Sequence, residues 1–142
     1  EESLKMVLLA TKKTPVEVIK KFQSIEKIQA NMGEIQQVFT NLITNAFQAM
    51  DGQGGNLVLS TRSLKDSVEV KVSDHGVGIP QKYLNQIFDP FFTTKNPGEG
   101  TGLGLNIVYR IVTKYEGTID VESKEQVGTT FTIKFPIRRV EA

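Results

Sequence analysis

A chain of 142 residues, 39% hydrophobic and 23% charged, has the size and composition of one globular domain with a single core, not of a disordered segment. Its formal net charge of +1 gives no global attraction for nucleic acid or an anionic membrane. The absence of cysteine excludes a disulfide framework and cysteine-based zinc or redox sites, and no apolar run reaches the ~20 residues that span a bilayer.

Residues 1 to 11 read as the end of a helix, with Leu4, Val7, Leu8 and Thr11 on one face and Pro15 after it. VEVIKKF (16–22) alternates like a strand, and SIEKIQA (24–30) reads as a second, weaker one. From Asn31 to Met50 the period changes. Ile35, Val38, Phe39, Leu42, Ile43, Ala46 and Ala49 recur at three- and four-residue spacing, which predicts a long amphipathic helix with Asn31 as N-cap. DGQGG (51–55) signals a turn. LVLSTRS (57–63) and SVEVKVSD (67–74) follow as strands around a short polar turn.

HGVGIP (75–80) interrupts the regular pattern, and residues 81–87 are expected to form a short helix. Residues 88–101, rich in Gly, Pro, Thr and Phe, read as a mobile loop in which Phe88 and Phe91 pack into the core. Residues 102–115 predict a helix closed by Gly117 as C-cap, and TIDVES (118–123) pairs with TTFTIKFP (129–136) as a hairpin. The alternation of helices and strands predicts helices layered on one face of a mixed sheet. Because the chain opens at Glu1 and not at a methionine, we expect a fragment of a longer protein; no signal-peptide pattern is present.

Four groups of residues have chemistry to offer. Gln37, Asn41, Asn45 and Gln48 line one face of the long helix. For the glutamines a solvated face is the simpler reading. Two mid-helix asparagines lower helix stability relative to alanine, and their amide oxygens suit Mg²⁺ already shared with phosphates. By strand parity Val68, Val70, Val72 and Asp74 share a face, so Asp74 ends an apolar row and needs a donor. Gly76 and Gly78 after it would let the backbone approach a flat ligand; a loop carboxylate held by backbone amides is the competing account. Thr129 shares parity with Phe131, Ile133 and Phe135, and reaches the same pocket as Asp74 or is simply a strand-forming threonine. His75, the single histidine, reads as a tolerated loop residue.

The last group is GEGTGLGL (98–105), where glycines run into the first turn of a helix. Free amides and the positive end of the helix dipole favour a phosphate there. It is neither a P-loop nor a dinucleotide fingerprint. FDPFFTTK (88–95) upstream supplies apolar anchors, the hydroxyls of Thr93 and Thr94, and Lys95 for a terminal phosphate.

Taken together, NLITNA (41–46), DHGVGI (74–79), IFDPFF (87–92) and GTGLGL (100–105) resemble the N, G1, F and G2 boxes of the catalytic, ATP-binding domain of sensor histidine kinases. That domain belongs to the GHKL superfamily, with gyrase-type topoisomerases, Hsp90 and MutL. NAFQAM and PFFTTK look most like the nitrogen-regulation type. The resemblance implies an α/β (α+β) two-layer sandwich, the Bergerat fold, with a mixed, mostly antiparallel sheet and helices on one face. It implies a linker remnant over 1–12, the catalytic domain over 13–142 and an ATP lid at about 88–101.

The resemblance also implies roles for residues. Asn45 would hold Mg²⁺, with Asn41 near the phosphates. Asp74 would accept the adenine amino hydrogen, with Thr129 supporting it through water. Ala49, Gly76, Gly78 and Ile79 would shape the adenine pocket. Thr93, Thr94, Lys95, Gly100, Thr101, Gly102, Leu103, Gly104 and Leu105 would meet the phosphates from the lid, and Asn41 and Lys95 would take the catalytic part. Where many relatives have a basic residue three positions after the Mg²⁺ asparagine, this chain has Gln48. Where hydrolysing branches have a glutamate it has Asn41, which cannot act as a base.

The expected cofactors are ATP and Mg²⁺. The expected partners are a histidine-bearing dimerisation domain and a response-regulator receiver domain, in a homodimeric full-length protein, with no nucleic acid and no direct membrane contact from this domain. The domain is expected in the cytoplasm, whether the whole protein is anchored or soluble. An anti-sigma-type serine kinase or ATPase switch, and a degenerate nucleotide-binding scaffold, are the alternatives.

Overall fold

The computed structural model describes residues 16–22 as backbone, and residues 31–50, 55–89 and 104–137 in full. The expected features at 1–11, 24–30, 51–54 and 91–101, including Phe91 and the helix start at 102–103, lie outside the described residues.

Among the described residues five strands form one mixed sheet in the order β1-β2-β3-β5-β4. β1 (Val16–Phe22) runs parallel to β2 (Gly55–Ser63), which requires a crossover, and α1 (Met32–Ala49) lies within it. β3 (Ser67–Asp74) returns antiparallel to β2. After the loop and α2 (Gly104–Lys114), the hairpin of β4 (Thr118–Lys124) and β5 (Gly128–Pro136) places β5 beside β3, again antiparallel. No described helix is long and apolar enough to cross a membrane.

Alternation along each strand decides which face is covered. Leu57 and Leu59, Val72, and Phe131, Ile133 and Phe135 are all buried, and they meet Val38, Leu42, Ile43 and Ala46 of α1 and Val108, Ile111 and Val112 of α2, while Val68 is buried on the same parity of β3. Phe47 is buried too, although it stands outside the row counted from periodicity. Burying a side chain of this size contributes on the order of 1.5–3 kcal/mol. Glu69 is buried on the other parity, where Arg62 on the neighbouring strand grips its carboxylate at 2.8 and 3.3 Å.

The ends of the helices follow from named groups. Asn31 caps α1, its Oδ1 accepting from the Glu34 amide at 3.1 Å. α2 ends in a Schellman motif, with Gly117 N–H donating to Val112 O and Glu116 N–H to Thr113 O. The left-handed residue is therefore Glu116, at φ 61°, and not Gly117 as the sequence suggested. Gly117 is glycine for a different reason: a Cβ there would lie 2.6 Å from the Lys134 carbonyl oxygen. The helix expected over 81–87 is one 3-10 turn, Gln81–Tyr83, followed by further turns with amide-to-carbonyl spacing of three.

Candidate functional site

The C-terminal end of α1, the loop after β3 and the turn between β4 and β5 meet at one end of the sheet. β3 delivers Asp74 there as the last residue of its buried row, directly paired with Thr129 on β5. Both are buried, at 6% and 4% exposure. Asp74 Oδ1 accepts from the Gly76 amide at 2.8 Å. Desolvation holds its carboxyl above the ordinary aspartate range, opposed in smaller measure by the amides of Gly76 and Thr129 and by nearby His75. Asp74 is thus a buried acid whose described partners are amides, not Lys or Arg.

Two glycines make the junction possible. The chain after Asp74 docks on the last turn of α1, where the Val77 amide donates to Ala49 O at 3.0 Å. A Cβ at Gly76 would lie 2.5 Å from that same oxygen and 2.8 Å from Ala49 Cβ. Gly78, at φ 74°, is backed against the Lys124 carbonyl, and Gln126 N–H reaches across to Val77 O. These glycines, expected to admit a flat ligand, admit first the protein's own backbone. Ile79 packs against the core and donates its amide to Ser123 Oγ at 2.7 Å. Ser123 also lies 2.7 Å from Thr129 Oγ1 and donates to Gly128 O at 3.1 Å.

Asn41 and Asn45 are half-buried on α1, whereas Gln37 and Gln48 are exposed. The Asn41 amide donates to Gly104 O at 3.2 Å, tying α1 to the first turn of α2. A carbonyl can only accept, so one Nδ2 hydrogen of Asn41 is committed, and no described residue donates to its Oδ1. No described residue bonds to the Asn45 side chain. A Cβ at Gly104 would meet nothing described within 4 Å. Leu105 packs on the core, Asn106 donates to the Phe88 backbone carbonyl at 3.0 Å, and the Phe88 ring packs near Tyr109 and Phe131. His75 is exposed, its Nδ1 donating to Asn56 O at 2.9 Å, and it belongs to no metal-ligand cluster among the described residues.

The structure therefore brings together Ala49, Asp74, Gly76, Gly78, Ile79 and Thr129 at one end of the sheet, and Asn41 with Gly104 between the helices. Thr93, Thr94, Lys95, Gly100, Thr101, Gly102 and Leu103 lie outside the described residues. Sequence reasoning missed Ser123 and Asn106. Ser123 was findable, because it shares parity with the partly buried Ile119 and Val121 and so ends a core-facing row as Asp74 and Thr129 do.

The family described as "Histidine kinase-, DNA gyrase B-, and HSP90-like ATPase" matches residues 31–139. The chain is 43% identical over 109 residues to sporulation kinase A of Bacillus subtilis, covering 77% of this chain and 18% of that protein. It is 43% identical over 114 residues to the sensor histidine kinase ZraS of Escherichia coli K12, covering 80% of this chain and 24% of that protein. It thus spans about a fifth of the curated relatives it matches. Among solved structures it resembles the nucleotide-free catalytic domain of histidine kinase ThkA, with TM-score 0.78, 31% identity and coverage of 95% of this chain and 90% of that one.

Proposed function

The chain belongs to the histidine kinase-, DNA gyrase B- and HSP90-like ATPase family, and from that premise we propose that it is the Mg²⁺·ATP-binding part of a sensor histidine kinase. In the whole protein it presents the γ-phosphoryl group to a histidine on a separate dimerising helical domain, from which a response-regulator receiver takes it. The relatives favour this over an anti-sigma-type kinase or a degenerate scaffold.

The observation that carries the reading is Asp74. A carboxylate buried at the end of an apolar row, with amide donors and a raised pKa, is poorly served by the protein alone. An adenine 6-amino group supplies the missing donor. Gly104 adds support at the other end of the ligand, since no described neighbour requires a glycine there and the amides of a helix's first turn suit phosphate.

The residues present also fit the metal. Among the described residues no three His, Cys, Asp or Glu side chains cluster, so a dedicated protein cage for a cation is not what this site offers. A half-buried Asn45 amide without a described partner suits Mg²⁺ that takes its other ligands from phosphate oxygens and water. Asn45 would hold the ion, which when bound would neutralise phosphate charge. Asn41, Thr93, Thr94, Lys95 and residues 100–105 orient the phosphates. The chain's part in phosphoryl transfer is positioning and charge stabilisation. Asn41 cannot take a proton from water, so slow hydrolysis is expected.

Titrating the chain with ATP and GTP, with and without Mg²⁺, tests the reading. Tight Mg²⁺-dependent binding of ATP and weak binding of GTP is the expected result. Equal affinity for the two bases contradicts the role of Asp74.

A further inference from the structure

Ser123, Thr129 and Asp74 occupy one row across three adjacent strands, since Ser123 pairs with Thr129 and Thr129 with Asp74. The neighbours of Ser123 Oγ differ in what they can do. The Ile79 amide at 2.7 Å can only donate. The Gly128 carbonyl at 3.1 Å can only accept. The Thr129 hydroxyl at 2.7 Å can do either. Ser123 has one hydrogen to give, so two arrangements exist. If it goes to Gly128, Thr129 must donate to Ser123 and offers the pocket lone pairs alone. If it goes to Thr129, the Thr129 hydrogen is released toward the pocket.

We propose that Ser123 is a positioning residue for base recognition, giving its hydrogen to Thr129 so that the Thr129 O–H serves the ring nitrogen beside the 6-amino group of a bound adenine. The base selects this arrangement. Adenine presents a donor, its amino group, next to an acceptor, the ring nitrogen at position 1; Asp74 answers the first and Thr129, directly or through one water, the second. Guanine presents the reverse pattern, a carbonyl next to an N–H. Without the base, Ser123 returns its hydrogen to Gly128. The Ile79 bond keeps the Ser123 oxygen in place in both arrangements and couples the loop after Asp74 to the exchange. This rests on the adenine assignment of Asp74.

The test is a cycle between a side chain and a ligand atom. 1-Deaza-ATP keeps the 6-amino group but has C–H in place of the ring nitrogen. The unmutated chain should bind it roughly tenfold more weakly than ATP, the scale of one hydrogen bond in a dry site. In Ser123→Ala the Thr129 hydroxyl keeps its own hydrogen but loses the bond that aims it, so that ratio should fall clearly below tenfold, with ATP affinity reduced, and Ser123→Thr should restore it.

If Ser123→Ala weakens both nucleotides equally and keeps the tenfold ratio, Ser123 is structural and the proposal is overturned. If the unmutated chain prefers ATP to GTP yet binds 1-deaza-ATP as well as ATP, the adenine pocket stands and the relay falls. If it does not distinguish ATP from GTP, the adenine assignment itself fails. The unmutated chain also supplies a readout that does not depend on a variant folding: the Ile79 amide resonance should move more with ATP than with 1-deaza-ATP. Equal movement contradicts the relay.

Discussion

The pair of helices carries a polar cluster at each end, and the two clusters are built on opposite principles. At the end away from Asp74, Lys114 meets both carboxylate oxygens of Glu34, at 2.9 and 3.1 Å, and the Tyr115 hydroxyl donates to Glu34 while accepting from the Asn31 amide at 3.0 Å. Every charge there has its opposite, and the bonds from Lys114 and Tyr115 hold the Glu34 carboxyl below the ordinary range. At the pocket end Asp74 is buried among amides, and desolvation pushes its carboxyl up. The first cluster is complete without a ligand. The second holds a carboxyl that desolvation disfavours in its charged form, and perturbed acids of this kind cluster at functional sites.

The largest effect should come from breaking the packing that holds the pocket end together. Gly78→Ala puts a methyl group against the Lys124 backbone at a residue with φ 74°, and should destabilise the chain by about 3 kcal/mol, read from chemical denaturation. A change under about 0.5 kcal/mol, the size expected of a surface substitution, would mean that the turn between β4 and β5 yields easily. Asn45→Ala separates binding from folding. It should abolish the Mg²⁺ dependence of ATP affinity, a loss of roughly tenfold or more, and leave the unfolding midpoint unchanged or slightly raised, because Asn45 lies beside the buried stripe of α1 and alanine is the better helix former. An unfolded Asn45→Ala chain would assign that residue to the complete kind of cluster.

Tyr115→Phe makes the converse test at the far end. It removes the hydroxyl shared by Asn31 and Glu34, and should lower Tm by about 3 °C without changing the ratio of ATP to GTP affinity. An altered ratio would show that the two ends are coupled through the helices.

The two clusters also differ in how far the sequence exposes them. Asp74 and Thr129 are legible because strand parity is local: each ends a run of alternating apolar residues. Asn31 is legible as a cap because Glu34 and the apolar row follow it directly. The latch of Glu34 with Lys114 and Tyr115 joins residues 80 positions apart, and no local pattern announces it. The glycines show a second limit. Their positions were evident, but whether Gly76 makes room for a ligand or for Ala49 depends on what lies beyond the missing Cβ, and only the packed helix decides that. Ser123 was overlooked because a single serine near the end of a short strand reads as surface, although its parity with Ile119 and Val121 places it in the covered row.

If Asp74 serves a ligand at the expense of the nucleotide-free fold, a pH series of thermal unfolding on the unmutated chain and Asp74→Asn, without nucleotide, will show it. A carboxyl whose folded pKa lies above its unfolded value favours the fold while protonated, and that favour is lost as pH rises through the folded pKa. Asp74→Asn keeps an oxygen for the Gly76 amide and carries no charge. It should therefore melt higher than the unmutated chain at neutral pH, and the gap should close as pH falls through the raised Asp74 pKa toward the ordinary aspartate value. ATP affinity and the preference for ATP over GTP should both drop in the same variant. If Asp74→Asn instead melts lower at neutral pH, and the gap widens as pH rises, the ionised carboxylate stabilises the fold and Asp74 belongs with Glu34 as a structural acid.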